Sequence, residues 1–228
     1  MKSLATFQSW LNEHGAAIAV DGKAGPKTRA AILSVFANRR APAATEHEVR
    51  GFAWRLGGSY QQLRAVARVE SAGSGFDDAG RPKALFERHY AWKRLRVKIP
   101  LLSDPVPGGY TIDADRDGIN DSWEKIADLA MRNPGVAFES ASFGKFQIMG
   151  AWAERLGYAG AVHFAWALTR SEAEHYEALC RYIERFGLKA AFQALSTDPE
   201  TCRAFAAGYN GPAYARGRYH EKLAEAMR

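Results

Sequence analysis

Apolar residues along this chain recur mostly at helical spacing. In the segment Tyr60–Glu70, the residues Leu63, Val66, Ala67 and Glu70 fall at i, i+3, i+4 and i+7, one face of a helix. A carboxyl group therefore stands where the oily side chains point. Ser71-Ala-Gly-Ser-Gly75 follows and does not continue a helix comfortably, so Glu70 lies in the last turn, where the helix dipole disfavours negative charge. Desolvation and the dipole both predict a raised pKa, the property a general acid needs near neutral pH. The competing reading is a solvated glutamate at the end of a stripe that has already left the core.

The same patterning places the other elements. A helix is predicted from Leu4 to Glu13, followed by a turn at Asp21-Gly-Lys-Ala-Gly25 and a second helix opened by Pro26. Asn38–Thr45 reads as a linker. Thr45-x-x-Glu48 and Ser59-x-x-Gln62 are capping-box signatures for two consecutive helices separated by Gly57-Gly58. From Phe76 to Gly109 the pattern is irregular, with Pro82, Pro100, Pro105 and Pro107, and Ala84-Leu-Phe-Glu87 reads as a strand or a cleft wall. Further helices are predicted over Ser122–Arg132, Ala151–Leu156, Arg170–Phe186 with Thr169-x-x-Glu172 as its cap, Leu188–Leu195, Pro199–Ala207 and Ala213–Met227. The chain is mainly α, with at most a small β-sheet.

With 228 residues, 47% of them hydrophobic and 12% aromatic, there is material for one large domain, or for one domain plus a small module. No stretch approaches the roughly 20 apolar residues of a membrane span, and Met1–Trp10 lacks the apolar run of a signal peptide. The expectation is a soluble protein made in the cytoplasm, without stable membrane insertion. The net charge of +6 is uneven: residues 1–45 hold six Lys/Arg against Glu13 and Asp21, leaving +4 there and +2 over the rest. A polyanion such as nucleic acid or an anionic cell envelope fits that basic end, although solubilising charge is the commoner reason. Cys180 and Cys202 both lie on apolar helical stripes and read as core thiols, with a disulfide between them left open. No His pair has zinc spacing, so a zinc amidase is disfavoured, and a cysteine amidase needs an exposed thiolate.

The N-terminal stretch Val20-Asp-Gly-Lys-Ala-Gly-Pro-Lys-Thr-Arg-Ala-Ala-Ile32 resembles the three-helix peptidoglycan-binding module of many cell-wall hydrolases. The resemblance covers about residues 4–37 and implies a wall-binding module at 1–40, with Asp21, Gly22, Gly25, Thr28 and Arg29 as its characteristic residues. Asp21 and Thr28 are expected to cap backbone groups around the turn. The bland alternative is that these residues only hold the module together.

Further along stand three separated pieces: Ala67-Arg-Val-Glu-Ser71, then Glu139-Ser-Ala-Ser-Phe-Gly-Lys-Phe-Gln-Ile-Met-Gly150, then Ala207-Gly-Tyr-Asn-Gly-Pro212. Their order resembles goose-type lysozymes and lytic transglycosylases. With Gly80-Arg-Pro-Lys-Ala-Leu-Phe-Glu-Arg-His89 added, the chain resembles the N-acetylmuramidase family common in phage endolysins, over roughly residues 60–225. The resemblance implies a lysozyme-like helical catalytic domain at 59–228, joined to the module through a linker and connecting helix at 41–58. It implies cleavage of the β-1,4 bond between N-acetylmuramic acid and N-acetylglucosamine, with Glu70 as the acid and Glu87 as the second carboxylate, which could activate water, orient Glu70, or simply pair with Arg88 or Arg81. Ser71, Glu139, Ser142, Phe143, Gln147, Tyr209 and Asn210 would bind substrate, with Glu139 also the reserve carboxylate.

If no base is properly placed, the substrate's own 6-hydroxyl could attack, which would make the protein a lytic transglycosylase. A murein-binding protein without activity is the rival from another class. The implied partner is peptidoglycan and not nucleic acid, acted on by a monomer. The implied route is synthesis in a host cytoplasm and access to periplasmic murein through a holin-type membrane lesion.

Asp113-Ala-Asp-Arg-Asp-Gly-Ile-Asn-Asp-Ser-Trp-Glu124 departs from that family pattern and matches a calcium-loop template. Asp113, Asp115, Asp117, Asp121 and Glu124 would supply hard oxygen ligands to a structural Ca²⁺, and no cofactor is expected for catalysis. The alternative is an acidic solvent loop that caps the next helix.

Overall fold

The computed structural model describes residues 3–71, 73–110, 113, 116 and 120–228. In chain order its helices begin with α1 (Leu4–Glu13), α2 (Pro26–Val35), α3 (Glu46–Arg55) and α4 (Tyr60–Glu70). Then come β1 (Ala84–Phe86), α5 (Arg88–Leu95), α6 (Ser122–Ala130), α7 (Pro134–Glu139), β2 (Ala141–Phe143), β3 (Ile148–Met149) and α8 (Ala161–Ala167). The chain ends with α9 (Glu172–Arg185), α10 (Lys189–Gln193), α11 (Pro199–Asn210) and α12 (Tyr219–Ala226). The fold is mainly helical with one small antiparallel sheet of order β1-β2-β3. No helix among the described residues is long and apolar enough to cross a membrane.

The chain divides into two compact units, one of residues 1–41 with 76–170 and the other of residues 42–75 with 171–228. The first is built on an aromatic core to which the N-terminal helices contribute directly. Phe7 and Phe36 meet Phe138 at ring-centroid distances of 5.9 and 4.9 Å, and Phe36 lies 5.2 Å from Trp123. Phe143 continues the cluster toward Phe164 at 6.2 Å, all within the range at which aromatic pairs attract. The Trp123 indole donates to the Pro82 carbonyl at 2.8 Å, so its one polar atom is satisfied inside the core. The segment after α2 is pinned as well: Asn38 bonds the Gly80 carbonyl through its backbone at 2.8 Å and the Thr169 carbonyl through its side chain at 2.9 Å. Gly80 can have no side chain there, since a Cβ would stand 2.7 Å from the Arg39 nitrogen.

The sheet follows from close approach. Strand β1 pairs with β2 in the register Ala84–Phe143, Leu85–Ser142 and Phe86–Ala141. A Cβ at Gly150, just after β3, would lie 2.1 Å from the Phe138 oxygen, so only glycine lets this chain pass α7.

In the second unit both predicted capping boxes are present, Thr45 with Glu48 on α3 and Ser59 with Gln62 on α4. Gln62 also reaches the carbonyls of Gln193 and Leu195 at 2.8 and 2.9 Å, which fixes α4 against the end of α10. Arg55 on α3 pairs with Glu177 and Glu184 on α9 at 2.6 and 2.7 Å. Cys180 and Cys202 are free and buried, and burial pushes the Cys180 thiol up to about 12.

Several boundaries differ from the sequence reading. The α9 cap is Ser171, which accepts from the Glu174 backbone, and not Thr169, whose hydroxyl is taken by the Trp166 carbonyl at 2.7 Å. The helix predicted over Ala151–Leu156 is a short 3₁₀ turn at Gly150–Trp152. The last predicted helix is split, because Arg218 adopts φ 53 and α12 restarts at Tyr219. The irregular stretch contains α5, and α7 and α8 had no sequence counterpart.

Candidate active site

Glu70 is the last residue of α4, and the apolar stripe that leads to it is real: Leu63, Val66 and Ala67 are all buried. Ser71 leaves the helix in extended conformation, and its hydroxyl donates to the Ala67 carbonyl at 2.8 Å. That capping bond satisfies a helix-end acceptor and turns the chain away immediately after the carboxylate. Helices α11 and α12 supply the rest of the surroundings. Asn210, which ends α11, donates its amide to Glu70 Oε1 at 3.2 Å. Gly211 follows at φ 72, a left-handed stop that a side-chain-bearing residue would strain.

Burial raises the Glu70 pKa to about 7, against the opposing pull of the Asn210 hydrogen bond and the Lys222 charge. Desolvation therefore wins over two groups that favour the ionised form. Tyr209 is held well above its ordinary value by burial and then by the Glu70 charge, and Tyr219 is raised by the same two causes. Both phenols thus stay neutral donors around a carboxyl group that is about half protonated at neutrality. Tyr209 is itself fixed by stacking on Phe205 at 5.6 Å and by an edge contact with Tyr182 at 5.2 Å. Nothing in the sequence points Tyr219 or Lys222 to this site, because nothing local ties α12 to a glutamate some 150 positions earlier.

The remaining sequence-derived residues lie in the first unit. Glu87 follows β1, and its backbone donates to the Ser140 carbonyl at 2.7 Å. Gln147 closes the β2–β3 turn at φ 47, a left-handed conformation that costs a non-glycine residue on the order of 1 kcal/mol or more. Its side chain folds back, accepting from the Ser142 hydroxyl at 2.9 Å and donating to the Gly144 carbonyl at 2.9 Å. Phe143 is 1% exposed and belongs to the aromatic core, so its ring is not open to a ligand. Glu139 ends α7, pairs with Arg94 at 3.0 Å and lines a cavity of about 130 Å³ with Glu154 and His163.

In the N-terminal stretch the organising residue is Gln8, which sequence reasoning missed. Its oxygen accepts from the backbones of Asp21 and Gly22, and its amide reaches Asp21, Lys23 and Thr28 at 3.1 to 3.2 Å. Its one signal is a polar residue set between Phe7 and the apolar pair Trp10 and Leu11. Asp21 also accepts from the Lys23 backbone at 2.9 Å, and that bond followed by the Gln8 bond lowers its pKa. Gly22 sits at φ 69, and Gly25 precedes α2 without a side-chain cap. Arg29 is engaged by Asp128 on α6 at 2.7 Å.

Of the calcium-template residues, Asp115 and Asp117 lie outside the described residues. Asp121 sits at the N-cap position of α6, and Glu124 accepts from Arg81 at 3.1 Å, a guanidinium also held by Asp77 at 2.8 Å.

Comparison with known proteins agrees with this picture. The family model for N-acetylmuramidase matches residues 59–228. The crystal structure of the Burkholderia AP3 phage endolysin aligns at a TM-score of 0.71 and 30% identity, covering 98% of this chain and 92% of that one. No curated protein matches. A half-buried carboxyl group with a raised pKa at the end of a helix stands within a chain matched over most of its length by one family model and by a 30% identical endolysin structure: this protein belongs to the N-acetylmuramidase family and is a peptidoglycan hydrolase, a glycoside hydrolase in its chemistry.

Proposed function

We propose that Glu70 donates the proton to the glycosidic oxygen between N-acetylmuramic acid and N-acetylglucosamine, and that the chain acts as a phage endolysin in host lysis. One observation carries the assignment of the acid: burial holds Glu70 near pKa 7 while Asn210 ties down Oε1. A carboxylic acid of that pKa is half protonated at neutrality and still strong enough to give the proton up. Glycoside hydrolysis normally uses a second carboxyl group, and Glu87 is our candidate, as the base that takes a proton from the attacking water. Tyr209 and Asn210 are proposed to bond sugar hydroxyls. The endolysin reading is supported by the AP3 likeness, and it carries with it a monomer that reaches murein through a holin-type lesion.

Mass spectrometry of digested murein tests the reaction. Reducing N-acetylmuramic ends are expected, anhydro ends would make the protein a lytic transglycosylase, and intact glycan strands would exclude both.

Residues 1–40 are proposed to bind the wall, a reading supported by their sequence pattern and by the Gln8 network that shapes the turn around Asp21. A structural Ca²⁺ at Asp113–Glu124 is likewise a proposal that rests on ligand spacing. Glu124 would have to share its carboxylate with Arg81 or exchange it. Added Ca²⁺ is expected to raise the thermal midpoint relative to EDTA, and equal midpoints would remove the ion from the account.

A further inference from the structure

Three consecutive residues each carry a buried side-chain polar atom without a hydrogen-bond partner among the described residues: Glu87 Oε2, Arg88 Nε and His89 Nδ1. An unpaired buried polar group costs about 1–3 kcal/mol, so such a run requires a reason other than stability. Glu87 occupies the N-cap position of α5, yet its side chain makes no capping bond. Its carboxylate is instead turned to two neighbours. Oε2 lies 3.0 Å from His89 Nδ1, each side chain 18% exposed, but the pair is out of line for a hydrogen bond. The Tyr110 phenol is hydrogen-bonded to Glu87, and burial followed by the Glu87 charge raises its pKa, which keeps it a donor.

We infer that His89 and Tyr110 are positioning residues for Glu87: the imidazole and the phenol together hold its carboxylate in one orientation. The inference rests on the reading of Glu87 as the second carboxyl group. In that step the water oxygen bonds to the anomeric carbon, its proton passes to Glu87, and the bond to the leaving sugar breaks as that sugar's oxygen takes up a proton. Atoms balance with one water consumed. Orientation of a base by a second group commonly decides whether it is in reach of its proton.

The test uses the full chain, dye release from purified murein, and circular dichroism to confirm folding. Glu87→Gln is expected to lower kcat about 100-fold or more, and His89→Ala about 10- to 100-fold with KM changed less than about twofold. His89→Asn retains an N–H donor at the Nδ1 position and is expected to recover most of the loss. In the Glu87→Gln background, His89→Ala is expected to cost nothing further, because the group it orients is gone. Tyr110→Phe, which deletes only the hydroxyl, is expected to lower kcat severalfold and serves if His89→Ala does not fold. Near-normal kcat for Glu87→Gln would overturn the reading of Glu87. Loss with Glu87→Gln but normal kcat with both His89→Ala and Tyr110→Phe would overturn the positioning role alone. Equal costs of His89→Ala in both backgrounds would make His89 structural and overturn it too.

Discussion

Glu70→Gln is expected to abolish murein cleavage, lowering the rate by about 10²–10⁴-fold, while the variant still sediments with insoluble murein. The amide fills the same space and keeps a partner for Asn210 but cannot donate a dissociable proton. The pH dependence of the wild type follows from the same group. With the Glu70 pKa at about 7, the acid is protonated below that value, so the rate is expected to fall about tenfold per pH unit on the alkaline side.

Stability carries a second signature. Raising Glu70 from its ordinary 4.5 to about 7 means that the folded protein binds this proton more tightly than the unfolded chain does. The stabilisation is fully present below about 4.5 and is lost as pH rises through about 7. At about pH 8 the Gln variant should therefore be the more stable protein, by a ceiling of about 3 kcal/mol, with the difference vanishing near pH 4. Thermal unfolding of the two proteins at both pH values reads this directly. A Gln variant that cleaves murein at the normal rate would remove Glu70 from the mechanism.

Phe36→Ala is expected to be the most damaging single truncation in the first unit. Phe36 is 0% exposed and meets Trp10, Trp123 and Phe138. Emptying such a site costs about 3–5 kcal/mol, a large part of the 5–15 kcal/mol that keeps a protein folded. For a chain of this size the thermal midpoint should drop by about 10 °C or more. The same contacts set the outcome of removing residues 1–41. Phe7, Trp10, Ile32 and Phe36 leave with them, exposing Trp123 and Phe138, so the shortened chain is expected to aggregate or melt early. A shortened chain that kept the full midpoint would show that these helices are an appendage and not part of the core.

What could be read in the sequence was local. Thr45 with Glu48 and Ser59 with Gln62 sit three residues apart, and nothing distant competes with their capping bonds. The Glu70 stripe was legible because periodicity alone says where its carboxyl group points. Where two local solutions coexist, tertiary structure chooses: Thr169-x-x-Glu172 and Ser171-x-x-Glu174 are both cap patterns, and the Thr169 hydroxyl is taken by Trp166. Helices α5, α7 and α8 have eight, six and seven residues, too short for periodicity to stand out from the prolines and glycines around them. The Gln8 network and the approach of Lys222 to Glu70 are long-range, so they appear only once the chain is folded.

The central claim is that burial keeps a proton on Glu70 near neutrality, and carbon-13 NMR of the glutamate side-chain carboxyls tests it most directly. Comparison of the wild type with Glu70→Gln identifies the missing resonance. The account predicts that this one signal titrates at about 7. A midpoint at the ordinary 4.5 would contradict it and leave Glu70 an unremarkable surface carboxylate.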